Sequence, residues 1–222
     1  MTTPTLEAPI REPKAESFLD WFRINSRLVG VAVAVVVAVA FGFWFYNRSA
    51  VLKAENADKK LLAAKQSIGS GNMPLAQSDL KKVADQYAGT GAGAEAGMLL
   101  AQLKLDAGDN QGAVTVLTDL ARKVASGPYA ASIKGLLGDA YEQLGKPADA
   151  AAAYEQAALA TTLPNERALL MSKLGRAWLA AGKNDKARET WEALAAQQSN
   201  PSLAAEARLR LGELQATSQT KK

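Results

Sequence analysis

The 222-residue sequence contains neither cysteine nor histidine. The chain therefore has no thiol nucleophile, no imidazole base and none of the side chains that hold most zinc sites. Its acidic residues are scattered singly at helical spacing, which is typical of a solvated helix face. These absences predict a protein that is not an enzyme and that needs no cofactor or metal.

Concentrated charge is also missing. The formal net charge is +4, and it is spread along the chain without a basic run and without interleaved aromatic residues. Nucleic-acid-binding domains usually concentrate lysine and arginine on one face. We therefore do not expect a nucleic-acid partner.

What the sequence does contain is a repeat with a period of 37 residues, followed without insertion through four copies. The period is carried by a glycine, by an alanine five residues later and by a large apolar residue four further on. The glycines are Gly71, Gly108, Gly145 and Gly182; the alanines are Ala76, Ala113, Ala150 and Ala187; the large residues are Leu80, Leu117, Tyr154 and Trp191. A fixed period of this length indicates stacked copies of one small unit.

Each copy is predicted to be a pair of helices. Apolar residues stand at helical spacing before each glycine, and the glycine suits a helix C-cap with positive φ. A small residue lies seven positions before each glycine, at Ala64, Ala101, Gly138 and Gly175, and Gly212 begins a fifth, incomplete copy. Pro128, Pro164, Pro201 and the segment 89–93 are predicted to mark the turns between copies.

These residues resemble the tetratricopeptide repeat, whose first helix carries a Leu-Gly pair and an aromatic residue and whose second carries an alanine and an aromatic residue. Copies three and four match well, with Leu137-Gly138 and Tyr141, and with Leu174-Gly175 and Trp178. The first two copies have lost the glycine and the aromatic. This gradient is interpreted as the influence of the membrane anchor or a membrane partner on the first copies.

The second strong feature is an uncharged apolar run from Leu28 to Tyr46. At about 1.5 Å per residue, such a helix crosses the roughly 30 Å hydrocarbon core of a bilayer. A signal peptide cleaved after residues 38–40 is the alternative, although the apolar run continues past that point. The basic residues on the two sides of the run are balanced, so charge alone leaves the orientation open.

Small residues recur every four positions within the run, at Gly30, Ala34, Ala38 and Gly42. Such a face lets another transmembrane helix approach closely. A homodimer and a foreign helix both fit this pattern.

The predicted layout is all-α. A flexible tail (1–26) precedes a single transmembrane helix (27–48), and a tetratricopeptide-repeat-like helical solenoid follows (49–217). The solenoid consists of about four 37-residue helix pairs plus a capping helix, and a disordered tail (218–222) ends the chain.

As a whole, the sequence resembles the YfgM family of ancillary subunits of the Sec translocon. The resemblance rests on the tail ending in Phe18-Leu19-Asp20-Trp21-Phe22, on Leu28-Val29-Gly30 at the start of the span, on Phe43-Trp44-Phe45-Tyr46-Asn47 at its exit, and on the repeats. It implies an inner-membrane anchor with a cytoplasmic N-terminus and periplasmic repeats. It also implies work with translocon subunits and with a membrane-anchored periplasmic chaperone of the prolyl-isomerase type.

In repeats of this type the first helix of each pair lines the concave side, so candidate protein-binding residues recur there. They are Lys65, Met98, Gln102, Leu105, Asp139, Glu142 and Arg176. For Leu105 and Leu179, burial between helices is an equally good interpretation, and Tyr141, Tyr154, Trp178 and Trp191 are assigned to the core.

The favoured hypothesis is a membrane-anchored protein-binding module at the site of secretion. The alternatives are a structural scaffold of another envelope complex without client binding and an adaptor that faces the cytosol.

Overall fold

The computed structural model describes residues 26–197 and 200–219, and within these ranges the chain forms helices and no strand. The helices are α1 Ser26–Gly69, α2 Met73–Gln86, α3 Gly91–Asp106, α4 Asn110–Lys123, α5 Ala130–Gln143, α6 Pro147–Ala160, α7 Pro164–Ala180, α8 Asn184–Ala195 and α9 Pro201–Gln219. The predicted all-α fold is confirmed. The predicted tail, apart from Ser26, lies outside the described residues.

The chain divides into two compact units, the first ending at Leu52 and the second beginning at Lys53. The described part of the first unit is the apolar portion of α1. An 18-residue window of this helix has a mean hydropathy of 2.6, and none of the window is buried. By length and composition, α1 can cross a membrane.

The second unit is a series of helix pairs. The end of α1 pairs with α2, α3 with α4, α5 with α6 and α7 with α8, and α9 packs against α8. Each pair is joined by three residues, which is short enough to make the two helices antiparallel neighbours. The four copies and the capping helix therefore appear in the predicted order.

The glycine of each turn has a left-handed backbone. The φ values are +77° at Gly71, +77° at Gly108, +70° at Gly145 and +71° at Gly182. The residue after each glycine donates its N–H to a carbonyl in the last turn of the preceding helix, as Lys146 does to Tyr141 at 2.9 Å. Only glycine adopts this conformation without a Cβ clash, so the predicted C-caps are confirmed.

The residue that caps the N-terminus of the second helix differs between copies. In the first two copies the side chains of Asn72 and Asp109 accept hydrogen bonds from Leu75 N and Gly112 N. In the third copy Pro147 opens the helix, where its missing N–H costs nothing.

The core of each copy is a small residue facing a large one. A Cβ on Gly138 would lie 2.4 Å from the Tyr154 ring, and one on Gly175 would lie 2.2 Å from Nε1 of Trp191. In the first two copies Ala64 shares a core cluster with Leu80, and Ala101 shares one with Leu117. All four large side chains are buried, with at most 1% of their surface exposed.

One predicted turn is shorter than expected. The sequence predicts a turn over residues 89–93, but α3 already begins at Gly91, so only residues 89 and 90 precede the helix. The glycines serve close packing instead, because a Cβ on Gly93 would lie 1.9 Å from the carbonyl oxygen of Tyr87.

Candidate functional site

Four of the candidate protein-binding residues lie at equivalent positions on the first helices of the four copies. Lys65, Gln102 and Arg176 are exposed, and Asp139 is half-buried. We call the side of α1, α3, α5 and α7 that carries these residues the first-helix face. It follows directly from the 37-residue period, because equivalent positions of stacked units share one side.

Polar contacts join the first helices of neighbouring copies at two places, and a third contact joins α7 to the capping helix α9. Lys65 Nζ on α1 lies 2.6 Å from Glu95 Oε1 on α3, and Lys173 Nζ on α7 lies 2.6 Å from Asp139 Oδ1 on α5. At the far end, Ser172 Oγ on α7 donates to Glu206 Oε2 on α9 at 3.3 Å. Polar contacts between these helices thus join the first copy to the second, the third copy to the fourth, and the fourth copy to the capping helix.

Two predicted residues meet around a tyrosine hydroxyl. Tyr154 Oη donates to Asp139 Oδ1 at 2.6 Å and to Glu142 Oε2 at 2.9 Å. The Lys173 amino group lies 5.5 Å from the centre of the Tyr154 ring. Burial, reinforced by the two carboxylates, raises the pKa of Tyr154 far above its ordinary value. The hydroxyl therefore stays protonated and keeps Asp139 and Glu142 together.

The remaining predicted residues occupy different environments. Gln102 Nε2 donates to Asp106 Oδ1 at 2.8 Å on the exposed side of α3. Met98 is half-buried against the core of the second copy, and Leu105 is only 6% exposed within that core. Of the two interpretations of Leu105, burial between helices is therefore the correct one, and Leu105 is not an exposed binding residue. Leu179, by contrast, is 39% exposed.

Sequence reasoning missed three participants of this face. Glu95 and Lys173 complete the ion pairs, and the hydroxyl of Tyr154 reaches the face although its ring belongs to the core, as predicted. A signal existed, because the partners stand 30 and 34 residues from Lys65 and Asp139, close to one period. Side chains of opposite charge at that separation belong to adjacent first helices.

The predicted helix-packing face lies on the first unit. A Cβ on Gly30 or Gly42 would have nothing within 4 Å. Together with Ala34 and Ala38, these residues form an exposed strip on α1. Its use for packing stays a prediction.

Comparison with known families agrees with the geometry. The profile described as tetratricopeptide repeat-like domain matches residues 20–128 and 59–177, and a tetratricopeptide repeat profile matches residues 172–221. The chain belongs to the tetratricopeptide repeat-like domain family. No curated protein matches the sequence.

Solved structures share the tetratricopeptide-type fold at low identity. The kinesin light chain repeats of Podosopora anserina are 23% identical, with a TM-score of 0.55 over 75% of this chain and 89% of theirs. BtubC of P. vanneervenii is 17% identical, with a TM-score of 0.55 over 77% of this chain and 82% of its own. PilF of Pseudomonas aeruginosa is 19% identical, with a TM-score of 0.54 over 76% and 71%. At these identities the likeness concerns the fold.

Tetratricopeptide repeats are in general protein-interaction modules and are not catalytic. Stacked helix pairs present extended surfaces that protein partners recognise. The chain is therefore a tetratricopeptide-repeat-like solenoid with protein partners as its general mode of action, preceded by a helix suited to a membrane.

Proposed function

We propose that the protein is anchored in the bacterial inner membrane by α1, with its N-terminus in the cytoplasm, and that its solenoid binds proteins in the periplasm. The observation that carries the proposal is the exposed apolar portion of α1 in a chain that otherwise consists of interaction repeats. The absence of cysteine suits an oxidising compartment.

The partners proposed are subunits of the Sec translocon and a membrane-anchored periplasmic chaperone of the prolyl-isomerase type. The resemblance of the whole sequence to the YfgM family supports this choice. The first-helix face supplies the docking surface, with Gln102, Arg176 and the pair Asp139–Glu142 as contact residues. The strip Gly30–Ala34–Ala38–Gly42 is proposed to pack against a second span, either of another copy or of one of these partners.

Topology is the first test. Proteinase added to spheroplasts should degrade the solenoid, while inside-out vesicles should protect it. Protection in spheroplasts contradicts the periplasmic proposal and favours an adaptor that faces the cytosol. Immunoblotting of the mature chain with an antibody against residues 1–25 tests the anchor, because a cleaved signal peptide removes that epitope.

Partner identity is tested by a photoreactive amino acid placed at Gln102 or Arg176 in the full-length protein. The control position is Thr118, which is exposed on α4, the second helix of the copy that contains Gln102. Crosslinks to translocon or chaperone subunits from Gln102 and Arg176, but not from Thr118, support the proposal. Crosslinks to cytosolic proteins alone contradict it.

Client binding separates a chaperone-like module from a scaffold. The full-length protein in nanodiscs should bind an unfolded secretory polypeptide, and substitutions Asp139→Asn and Glu142→Gln should weaken that binding. Crosslinks to envelope subunits without any affinity for unfolded polypeptide favour the structural scaffold.

A further inference from the structure

The last described helix, α9, carries an apolar strip on its outer side. The strip consists of Ala205, Leu209, Gly212 and Ala216, and we call it the α9 strip. Spacings of four and three residues place all four on one side of the helix. All four are exposed, Leu209 by 63%, and a Cβ on Gly212 would have nothing within 4 Å among the described residues. The opposite side of α9, which carries Leu214, packs into the core of the last copy.

Exposure of this strip departs from the repeat. The residues one to four periods before Ala205, Leu209 and Gly212 lie on the first helices of the four copies. They are Ala57, Leu61 and Ala64; Ala94, Met98 and Ala101; Ala131, Gly135 and Gly138; and Ala168, Ser172 and Gly175. Eleven of these twelve residues are buried, and Met98 is half-buried. Because the terminal unit of a soluble solenoid turns a polar face outward, an apolar strip at this place indicates a partner.

The four copies show what covers the equivalent surface. A Cβ on Gly138 would lie 2.4 Å from the Tyr154 ring of α6, and one on Gly135 would lie 3.2 Å from Cδ2 of Leu170 on α7. The cover is therefore a helix with a large side chain opposite the small residue.

The second helices that supply this cover share a sequence pattern, an alanine followed four residues later by a large apolar residue. They carry Ala76 and Leu80, Ala113 and Leu117, Ala150 and Tyr154, and Ala187 and Trp191. All eight residues are buried. A helix that covers the α9 strip is therefore expected to carry the same pattern.

The α9 strip itself carries this pattern. Ala205 and Leu209 stand four residues apart, as Ala113 and Leu117 do on α4. The helix thus has the small residue of a first helix, Gly212, and the alanine–leucine pattern of a second helix on the same side. When two copies of α9 run antiparallel, Leu209 of each lies opposite Gly212 of the other. The same register puts Ala205 opposite position 216, which is also an alanine.

The charged side chains of α9 bind groups of their own chain. Arg208 donates to the carbonyl oxygen of the last residue of α8 at 3.0 Å, and Arg210 pairs with Glu213 at 3.0 Å. Glu206 accepts a hydrogen bond from an α7 serine at 3.3 Å. The strip itself carries no charge, so the pairing of two strips buries apolar surface without burying a charge at its centre.

We propose that the α9 strip binds the α9 strip of a second copy of the chain, with the two helices antiparallel and related by two-fold symmetry. Each copy uses the same surface, which closes the dimer and leaves neither strip uncovered. Each copy contributes one leucine, so the contact is expected to be weak between dilute chains and to hold between chains that are concentrated in a membrane. This last expectation rests on the anchor proposed above, which sedimentation of the chain with membranes tests separately.

The test uses the absence of cysteine from the chain, because every disulfide then reports on an introduced pair. Ala205→Cys and Ala216→Cys are combined in the full-length protein in native membrane vesicles, and copper(II) phenanthroline is the oxidant. Antiparallel pairing brings position 205 of one copy opposite position 216 of the other, within the reach of a disulfide. The double variant should therefore form a covalent dimer on a non-reducing gel, and absence of this dimer overturns the proposal.

The two single variants are the controls for register. Positions 205 and 216 are about 16 Å apart along a helix, and in the antiparallel pair each is as far from its own counterpart. Neither Ala205→Cys nor Ala216→Cys alone should crosslink, since this distance exceeds what a disulfide spans. A single variant that dimerises as well as the double variant shows parallel or random contact and overturns the proposal.

The contact itself is tested by Leu209→Glu in the double-cysteine background. The change removes the large side chain and brings two carboxylates together, so the crosslinked fraction should fall about tenfold or more. The matched control is Leu159→Glu, which makes the same change at a leucine on α6 that is 79% exposed, and it should crosslink like the parent. Circular dichroism melting shows that both variants fold. Undiminished crosslinking in a folded Leu209→Glu variant overturns the proposal.

A photoreactive amino acid at position 209 identifies the occupant directly. In native membrane vesicles it should capture a second copy of the chain. Capture of a different protein in its place contradicts self-association.

Discussion

The first two copies of the repeat and the last two solve the same packing problem with different pairs of residues. Ala64 and Ala101 face a leucine in the first half, whereas Gly138 faces Tyr154 and Gly175 faces Trp191 in the second. The copies with the smaller first-helix residue, glycine, have the larger second-helix residue, an aromatic, and the copies with alanine have leucine. A smaller residue on the first helix thus goes with a larger residue on the second.

This comparison changes the interpretation of the first copies. In the sequence they look like eroded repeats shaped by the anchor or a membrane partner. In the structure their cores are as closed as the others, since Leu80 and Leu117 have no exposed surface. Size matching within each helix pair accounts for alanine in place of Gly138 and Gly175 and for leucine in place of Tyr154 and Trp191, because interiors tolerate swaps that keep the total volume. It does not account for Ser67 and Lys104, which stand where the later copies have Tyr141 and Trp178.

The largest expected effect comes from converting a pair of the second half into a pair of the first. Trp191→Leu alone should lower the free energy of unfolding by about 3 kcal/mol, because it leaves a cavity beside Gly175. Adding Gly175→Ala should restore about 1–2 kcal/mol, since the new methyl group fills part of that cavity. Urea unfolding of the wild type and the two variants, followed by circular dichroism, measures both values. A double variant that is less stable than Trp191→Leu contradicts size matching.

A smaller loss is expected from enlarging the small residue alone. Gly138→Ala places a methyl group 2.4 Å from the Tyr154 ring, and the net cost should be about 2 kcal/mol despite the better helix propensity of alanine. Gly212 occupies the same repeat position in α9, but a Cβ there has nothing within 4 Å.

Gly212→Ala is therefore the matched control. It should raise the free energy of unfolding by up to about 1 kcal/mol, because only helix propensity changes. Equal changes in the two variants, measured by the same urea titration, show that the facing side chain is irrelevant and contradict size matching.

The turns should not distinguish the two halves. Gly71 and Gly145 both have left-handed backbones and open space around a would-be Cβ. Alanine at either position is strained only through its backbone, so Gly71→Ala and Gly145→Ala should each cost about 1 kcal/mol. Thermal unfolding compares them, and a clearly larger loss in one half shows that its turn has a further structural role.

The sequence alone predicts the fold well for a physical reason. Glycine at a left-handed C-cap and a small residue under a large one are local requirements, and the period repeats each four times. The helix order and the turns at Gly71 and Gly145 follow from them. The start of α3 cannot be predicted in this way. A glycine such as Gly93 can serve either a turn or a close approach of the backbone, and only the nearby carbonyl of Tyr87 shows that it serves the close approach.

The candidate sites are less predictable because they depend on contacts between copies. The row Lys65, Gln102, Asp139 and Arg176 follows from the period. The ion pair of Asp139 with Lys173 depends on how the third and fourth copies stack, and its hydrogen bond with Tyr154 depends on how α5 and α6 pack within one copy. The role of Gly97 is likewise hidden in the sequence, because it depends on how α3 packs against α4: a Cβ on Gly97 would lie 2.7 Å from Cδ2 of Leu120.

The smallest expected effect on stability comes from removing the hydroxyl of Tyr154. Because Gly138 lets the Tyr154 ring pass, its hydroxyl reaches Asp139 and Glu142, which a leucine in the first half cannot do. Tyr154→Phe should lower the free energy of unfolding by less than about 1 kcal/mol at neutral pH. The variant loses two hydrogen bonds, but water can donate to the two carboxylates in place of the hydroxyl. Urea titration measures this value.

The pH dependence gives a sharper readout than that cost. The pKa of Tyr154 is raised in the folded protein by burial and by the two carboxylates, so its hydroxyl ionises more readily in the unfolded chain. The stabilising contribution is complete below the ordinary tyrosine pKa of about 10 and is lost as the pH rises above it. The stability difference between the wild type and Tyr154→Phe should therefore shrink and then reverse at alkaline pH. Asp139→Asn should weaken this pH dependence, since one of the two carboxylates that disfavour the ionised hydroxyl is gone. A stability difference that stays constant with pH means that neither burial nor these carboxylates raise the pKa of Tyr154.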